Sequence, residues 1–234
     1  MVGKLRDRRS ARRMIKRQRI ADGLRTPRRK RKAALAASAS IMTLSTAAVD
    51  IEGAAQQTGY VETVDTREIR MYASMIEPSE ELKEAMIEEE GVRLTVYRDV
   101  AGYPTVGVGH LVTSADGLSV GDRISEERAL DFFEQDLAIA QRAVEDLVGD
   151  LKLYQHEYDA LIDLAFNVGE GTLAPQKSPR LNTAIDMRDY EGMAKELAYH
   201  HAKGSIANGL VYRSERRTNI FLEAEYDDPR ELNA

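Results

Sequence analysis

An α+β fold, mainly α, is the class this chain predicts, and three features carry the prediction. After Ser125, the residues Leu130, Phe133, Leu137, Ala140, Val144 and Leu147 recur at alternating steps of three and four. That is the spacing of one buried face on a long helix. Tyr158, Leu161, Ile162 and Ala165 repeat it up to Gly169. Upstream of both, Leu94, Val96 and the Val106–Val108 pair alternate in strand fashion around a turn signal at Ala101–Gly102, which predicts one two-stranded hairpin. With 234 residues, 43% of them hydrophobic, the chain can bury one or two modest cores. It contains no cysteine, which excludes a disulfide framework, thiolate chemistry and a Cys-ligated metal site.

Charge divides the chain before the helices begin. Residues 1–32 hold 15 Lys and Arg against Asp7 and Asp22, a balance of +13; the whole chain is −6, so the remaining 202 residues carry −19. This basic arm has no apolar face large enough to fold alone, and disorder or a loose helix is expected. It suits either contact with nucleic-acid phosphates or retention of a following membrane segment in the positive-inside orientation. Ala33–Val49 (AALAASASIMTLSTAAV) is uncharged and bracketed by Lys32 and Asp50. As a helix its seventeen residues would rise about 25 Å, at the short end of what spans a bilayer. A cleaved secretory signal, a weak anchor and an Ala-rich soluble helix are all open readings, with the anchor favoured. Residues 50–77 are polar and predict a tether, with short extended or helical pieces near Tyr60–Val64 and Arg67–Met75.

Ser79 then caps a helix whose first turn holds Glu80 and Glu81 and whose inward face is Leu82, Ala85 and Met86; Gly91 ends it. After the hairpin, Ser114–Arg123 is a loop, and Ser125 caps the long helix, which would run over 30 Å. Pro175 and Pro179 punctuate a connection, with shorter helices expected at about Leu181–Met187 and Tyr190–His201 and a last one from about Leu210 to Tyr226.

The chemistry concentrates between Glu90 and Thr113. Glu90 closes the charged helix, Asp99 lies nine residues on beside the turn, and Thr105 follows six residues later on the returning strand. A helix end feeding a hairpin brings two carboxyls and a hydroxyl to one place. Glycosidic hydrolysis needs such a set: one acid protonates the leaving oxygen while a carboxylate serves the water or the developing positive charge. Each residue also has a plain reading. Glu88-Glu89-Glu90 suits a solvated helix face, Asp99 an ordinary turn-former bonding its own backbone, and Thr105 a common strand threonine. His110 is read as structural, bonded to a carboxylate; the four histidines have no metal-ligand spacing. Gly107 and Gly109 form no nucleotide loop and are read as allowing a sugar chain close approach.

The spacing Glu90-x8-Asp99-x5-Thr105, followed by VGVGHLVT, resembles the phage-type lysozymes, the T-even phage enzyme and its endolysin relatives. Ile124–Leu147 is similar to the inter-lobe helix of that family, and Ala165–Gly171 (AFNVGEG) and Gly209–Arg217 (GLVYRSERR) to its second lobe. The resemblance covers about two thirds of the chain, near Pro78 to near Tyr226. It implies a two-lobed domain, a small β-hairpin lobe and a helical lobe joined by the long helix. It further implies a muramidase cleaving the β-1,4 bond between N-acetylmuramic acid and N-acetylglucosamine in peptidoglycan, with inversion and no cofactor or metal. Glu90 is then the general acid, favoured in its protonated form by partial burial and by Asp99, the second carboxylate; Thr105 helps hold the water. Leu111, Phe166, Asn167 and Arg213 match substrate-binding or cleft positions, Arg213 the one that reaches toward the acid. Arg216 and Arg217 are read as surface residues.

The expected division is a basic arm at 1–32, a weak signal or anchor at 33–49, a tether at 50–77, a catalytic domain at 78–226 and a tail at 227–234. Ala33–Val49 resembles the signal-arrest-release segment of some phage endolysins, which implies transient inner-membrane association before action in the periplasm. Peptidoglycan is the implied partner, nucleic acid is not expected, and the protein is expected to be a monomer. The rival expectation is a virion-associated wall-binding or structural protein whose arm contacts nucleic acid. Unlike many basic relatives, this domain is acidic and lacks tryptophan. Binding an anionic wall then calls for divalent cations or screening salt.

Overall fold

The computed structural model describes residues 69–197, 201–202, 205–206 and 208–232. The basic arm, Ala33–Val49 and most of the expected tether lie outside the described residues.

The ordered fold begins earlier than the sequence suggested. Strand β1 (Met71–Tyr72) pairs antiparallel with β5 (Lys152–Leu153), and Ala73 and Ile76 are buried in the core. Arg70 binds Glu157 through Nη2 at 2.6 Å and Nε at 3.1 Å, with its guanidinium 3.6 Å from the Tyr190 ring centre. The boundary at residue 78 is therefore corrected: residues 69–77 are part of the domain, and although they are rich in apolar residues, a two-residue strand and a three-residue turn are too short to show a period.

Helix α1 (Glu80–Glu90) starts and stops as expected. The Ser79 hydroxyl accepts from the Leu82 amide, and Gly91, at φ 73°, donates its N–H to the Ile87 carbonyl. The β-region has three strands rather than two: β2 (Arg93–Arg98), β3 (Pro104–Gly107) and β4 (His110–Leu111), in that order and antiparallel. Tyr97 faces Thr105, which in turn faces Leu111; β2 is irregular between Arg93 and Tyr97. Gly107 and Gly109, both at positive φ, make the turn that adds β4.

Helix α2 (Glu126–Val148) has 23 residues, a length of about 34 Å. The expected stripe is on its buried side, Phe133, Leu137, Ala140 and Val144 fully and Leu130 and Leu147 at the margin. Helix α3 (Gln155–Val168) is buried over most of its circumference. Beyond the expected Tyr158, Leu161, Ile162 and Ala165 it buries three acids, Glu157, Asp159 and Asp163, each matched by donors from distant segments. Asp159 accepts from the Ser79 amide (3.1 Å) and hydroxyl (2.6 Å) and from the Tyr226 hydroxyl (2.7 Å).

A four-residue helix α4 (Glu170–Leu173) follows, then α5 (Pro179–Asp186) and α6 (Tyr190–Glu196). The expected helix to His201 stops at Glu196, and His201–Ala202 (β6) instead pairs antiparallel with Ser205–Ile206 (β7). Helix α7 (Asn208–Glu223) packs chiefly on α3, and α8 (Pro229–Leu232) ends the described chain. The expected tail is corrected as well: Asp228 and Pro229 are buried, and Arg230 binds both Asp228 (2.7 Å) and Glu89.

Candidate active site

Glu90 is the last residue of α1, so its side chain leaves the helix where Gly91 turns the chain into β2. Its side chain keeps 28% exposure, with Oε1 paired to Arg213 Nη1. Oε2 faces the β3–β4 turn; a methyl group on Gly109 would lie 3.9 Å from it. Gly109 thus borders the carboxyl on that side. Gly107 is different: a methyl there would stand 3.4 Å from the Ala129 side chain and carbonyl oxygen. Its close approach is to helix α2 and not to a ligand, which corrects the sequence reading for that residue.

The glutamate run is not a solvated face. Glu88 accepts from Arg216 at 3.3 Å, Glu89 pairs with Arg230, and Glu90 with Arg213, so each of the three meets an arginine of the C-terminal helices. Arg216 and Arg217, read as surface residues, are 6% and 1% exposed. Arg216 donates to the Ala85 and Tyr226 carbonyls at 3.2 and 2.7 Å. Arg217 Nε donates to Asp163 Oδ2 at 2.7 Å and its Nη1 to the Leu197 carbonyl at 3.2 Å. Arginine is buried only where such partners exist, and these lie too far along the sequence to appear in any local window.

Asp99 performs the turn-forming role expected of it in isolation. Its Oδ1 accepts from the Ala101 and Tyr103 amides at 2.9 and 2.8 Å, while Oδ2 makes no hydrogen bond among the described residues. The turn therefore fixes one oxygen and leaves the other available. Thr105, 5% exposed, donates its hydroxyl to the Tyr103 carbonyl at 3.2 Å, and its oxygen retains lone pairs for a further donor. Leu111, opposite Thr105 on β4, is 51% exposed.

On the other lobe, Phe166 is half-buried and packs edge-on against Phe133 at 5.7 Å, so it belongs to the margin of the core. Asn167 does not project freely: with its amide oxygen turned toward Arg213 it accepts from Nε at 3.1 Å and Nη1 at 2.8 Å. Arg213 is buried and is gripped by Glu90, Asn167 and Asp163, the last through Nη2 at 3.2 Å. Burial opposes its charge, but the Asp163 and Glu90 carboxylates outweigh burial and raise its pKa. Asp163 was not singled out by sequence reasoning; an aspartate on an amphipathic helix looks like a solvated residue. Burial disfavours its charge, yet Arg213 and Arg217 hold it below the ordinary carboxylate range.

His110 takes the structural place expected. Nδ1 meets Asp136 at 2.9 Å, the ring stacks on Phe132 at 4.1 Å, and Nε2 lies 3.5 Å from Asp116 without hydrogen-bond geometry. Burial raises the Asp136 carboxyl against the lowering effect of His110. Among the described residues, no group of three histidines and carboxylates is placed to hold a metal ion.

Comparisons with known proteins bear on the same region. The family model described as phage lysozyme matches residues 87–217. The chain is 34% identical over 136 residues to the endolysin of Salmonella phage P22, covering 57% of this chain and 90% of that protein. It is 29% identical over 140 residues to the endolysin of Acyrthosiphon pisum secondary endosymbiont phage 1, with 58% and 90% coverage. Among solved structures, the endolysin from Escherichia coli O157:H7 phage FAHEc1 superposes with a TM-score of 0.58 at 25% identity, covering 65% of this chain and 97% of that one.

Proposed function

The chain belongs to the phage lysozyme family, and on that premise we propose the bond it cuts and the residue that protonates it. It is a peptidoglycan hydrolase of the endolysin type, a lysozyme-class glycosidase. The bond is the β-1,4 linkage between N-acetylmuramic acid and N-acetylglucosamine. Glu90 Oε2 protonates the glycosidic oxygen as the bond to C1 breaks. The carrying observation is the Glu90 carboxyl itself, held at a helix end by Arg213 through one oxygen with the other facing Gly109. Asp99, through Oδ2, takes one proton from a water that attacks C1, and the Thr105 oxygen accepts a hydrogen bond from the O–H that stays on the sugar. The Oδ1 bonds to the turn hold Asp99 in place throughout. Direct attack inverts the sugar and requires the two carboxyls to stand roughly 6.5–9.5 Å apart. Leu111 and Phe166 border the glycan, while Asn167 acts by orienting Arg213. The protein acts as a monomer.

Arm and uncharged segment belong to the same reading. Ala33–Val49, with +13 of charge before it, holds the enzyme at the inner membrane with residues 1–32 inside and the hydrolase outside, weakly enough to leave. Among the described residues no helix is long and apolar enough to cross a membrane. A wall-binding or virion-structural role without catalysis is not favoured, since two relatives matched over 90% of their length are endolysins and one matched over 91% is named a probable T4-type lysozyme.

Product analysis tests the reading. Digested walls should yield new reducing ends on N-acetylmuramic acid, released first as the α-anomer. Reducing ends on N-acetylglucosamine would overturn the bond assignment, and a β-anomer or an adduct on Asp99 the direct attack.

A further inference from the structure

One carboxylate and two guanidiniums stand behind the candidate acid and form with it a cluster of four charged groups. Asp163 of α3 shares its oxygens between Arg213 Nη2 (3.2 Å) and Arg217 Nε (2.7 Å), and Arg213 continues to Glu90. From α1, Leu82, Ala85 and Glu89 close the space around the cluster, and from α7 Arg216 and Ile220. Glu89 is matched by Arg230 and Arg216 by Glu88, so these neighbours are close to neutral. The Arg217 Nη2 is buried with no hydrogen-bond partner among the described residues. Among the described residues Asp163 is thus the single side-chain anion gripped by both arginines, and it sits one guanidinium away from Glu90.

We propose that Asp163 is a positioning residue that sets how strongly Arg213 favours the ionised form of Glu90. Two effects follow from its place. Its bond to Nη2, with that of Asn167 to Nε, fixes the guanidinium so that Nη1 addresses Glu90. Its charge offsets the positive field that Arg213 and Arg217 together direct at the acid. With all four groups present the cluster sums to zero. Without the Asp163 charge it is +1 and Glu90 gives up its proton at lower pH; without the Arg217 charge it is −1 and Glu90 keeps its proton to higher pH. The inference rests on the reading of Glu90 as the acid.

The test measures initial rates of wall hydrolysis against pH for the full chain and for D163N, R217M and E90Q, with thermal melts of each. The alkaline limb of the profile, where the acid loses its proton, should move down by roughly one pH unit in D163N and up by a similar amount in R217M. Opposite shifts are what a merely structural role does not produce; that role lowers both melting temperatures and leaves both limbs in place. Limbs that coincide with the wild type in folded variants, or that move in the same direction, overturn the inference. If D163N fails to fold, R217M decides: an upward limb supports the proposal, and an unmoved or lowered one overturns it. E90Q separates this failure from that of the underlying reading. An inactive E90Q with unmoved limbs refutes only the role of Asp163, whereas an active E90Q removes Glu90 as the acid.

Discussion

At the scale of single residues, burial and pairing decide more than residue type. Asp163 is charged in the folded protein because two arginines overcome the cost of burial. Its folded pKa is lowered, so its stabilising contribution is complete above the unfolded carboxylate value and is lost as pH falls through the lowered one. Asp163→Asn should therefore destabilise the protein by about 3–5 kcal/mol at pH 7 and by clearly less near pH 3, as read by urea unfolding at both. An equal loss at both pH values would contradict the charged pairing. Gly107→Ala should cost about 1–2 kcal/mol from the positive φ, the new methyl making no more than ordinary contact with Ala129. Gly102→Ala, which meets nothing within 4 Å, should cost the backbone contribution alone. Melting curves should show a loss in both variants, and a curve unchanged from the wild type would refute the backbone cost at that position. The places of Glu90, Asp99 and Thr105 at a helix end, a turn and a strand were legible in the sequence because those signals are local, within sixteen residues. Asp163, Arg216 and Arg217 were not, because their partners lie 54 and 128 residues away and nothing in a local window distinguishes a paired charge from a solvated one.

Elements long enough to repeat their period were legible too. α1 and α2 begin and end where Ser79, Gly91 and Ser125 predict, since a cap hydroxyl or a C-terminal glycine acts within one turn. The short elements escaped: β1, β5 and β4 have two residues each, too few for alternation, and β1 exists because β5 pairs with it. α8 escaped for the same reason, and its anchoring bond from Arg230 to Glu89 spans 141 residues. Ending the chain after Tyr226 removes that bond and the buried Asp228 and Pro229. A loss of about 1–3 kcal/mol is expected in urea unfolding, against no measurable change if residues 227–234 were a free tail.

For the whole molecule, charge is divided between a basic arm and an acidic hydrolase, and the acidic part must approach an anionic wall. Raising salt from about 10 to 100 mM should therefore speed wall lysis by shortening the reach of that repulsion. Turbidity rates across this range are the check, and a steady fall with salt would mean attraction instead. Replacing Ser38, Ser40, Ser45 and Thr46 by Leu should strengthen membrane retention and delay lysis. A full-length soluble cytoplasmic protein, unaffected by the changes, would remove the anchor from the account. The most direct measurement of the central claim is hydrolysis of purified walls by the full chain beside its Glu90→Gln variant. Gln keeps the size of the side chain and an oxygen for Arg213 but has no acidic proton, so the rate should fall at least about 100-fold with the melting curve nearly unchanged. A variant that keeps more than about a tenth of the wild-type rate would contradict the assignment of Glu90 as the acid.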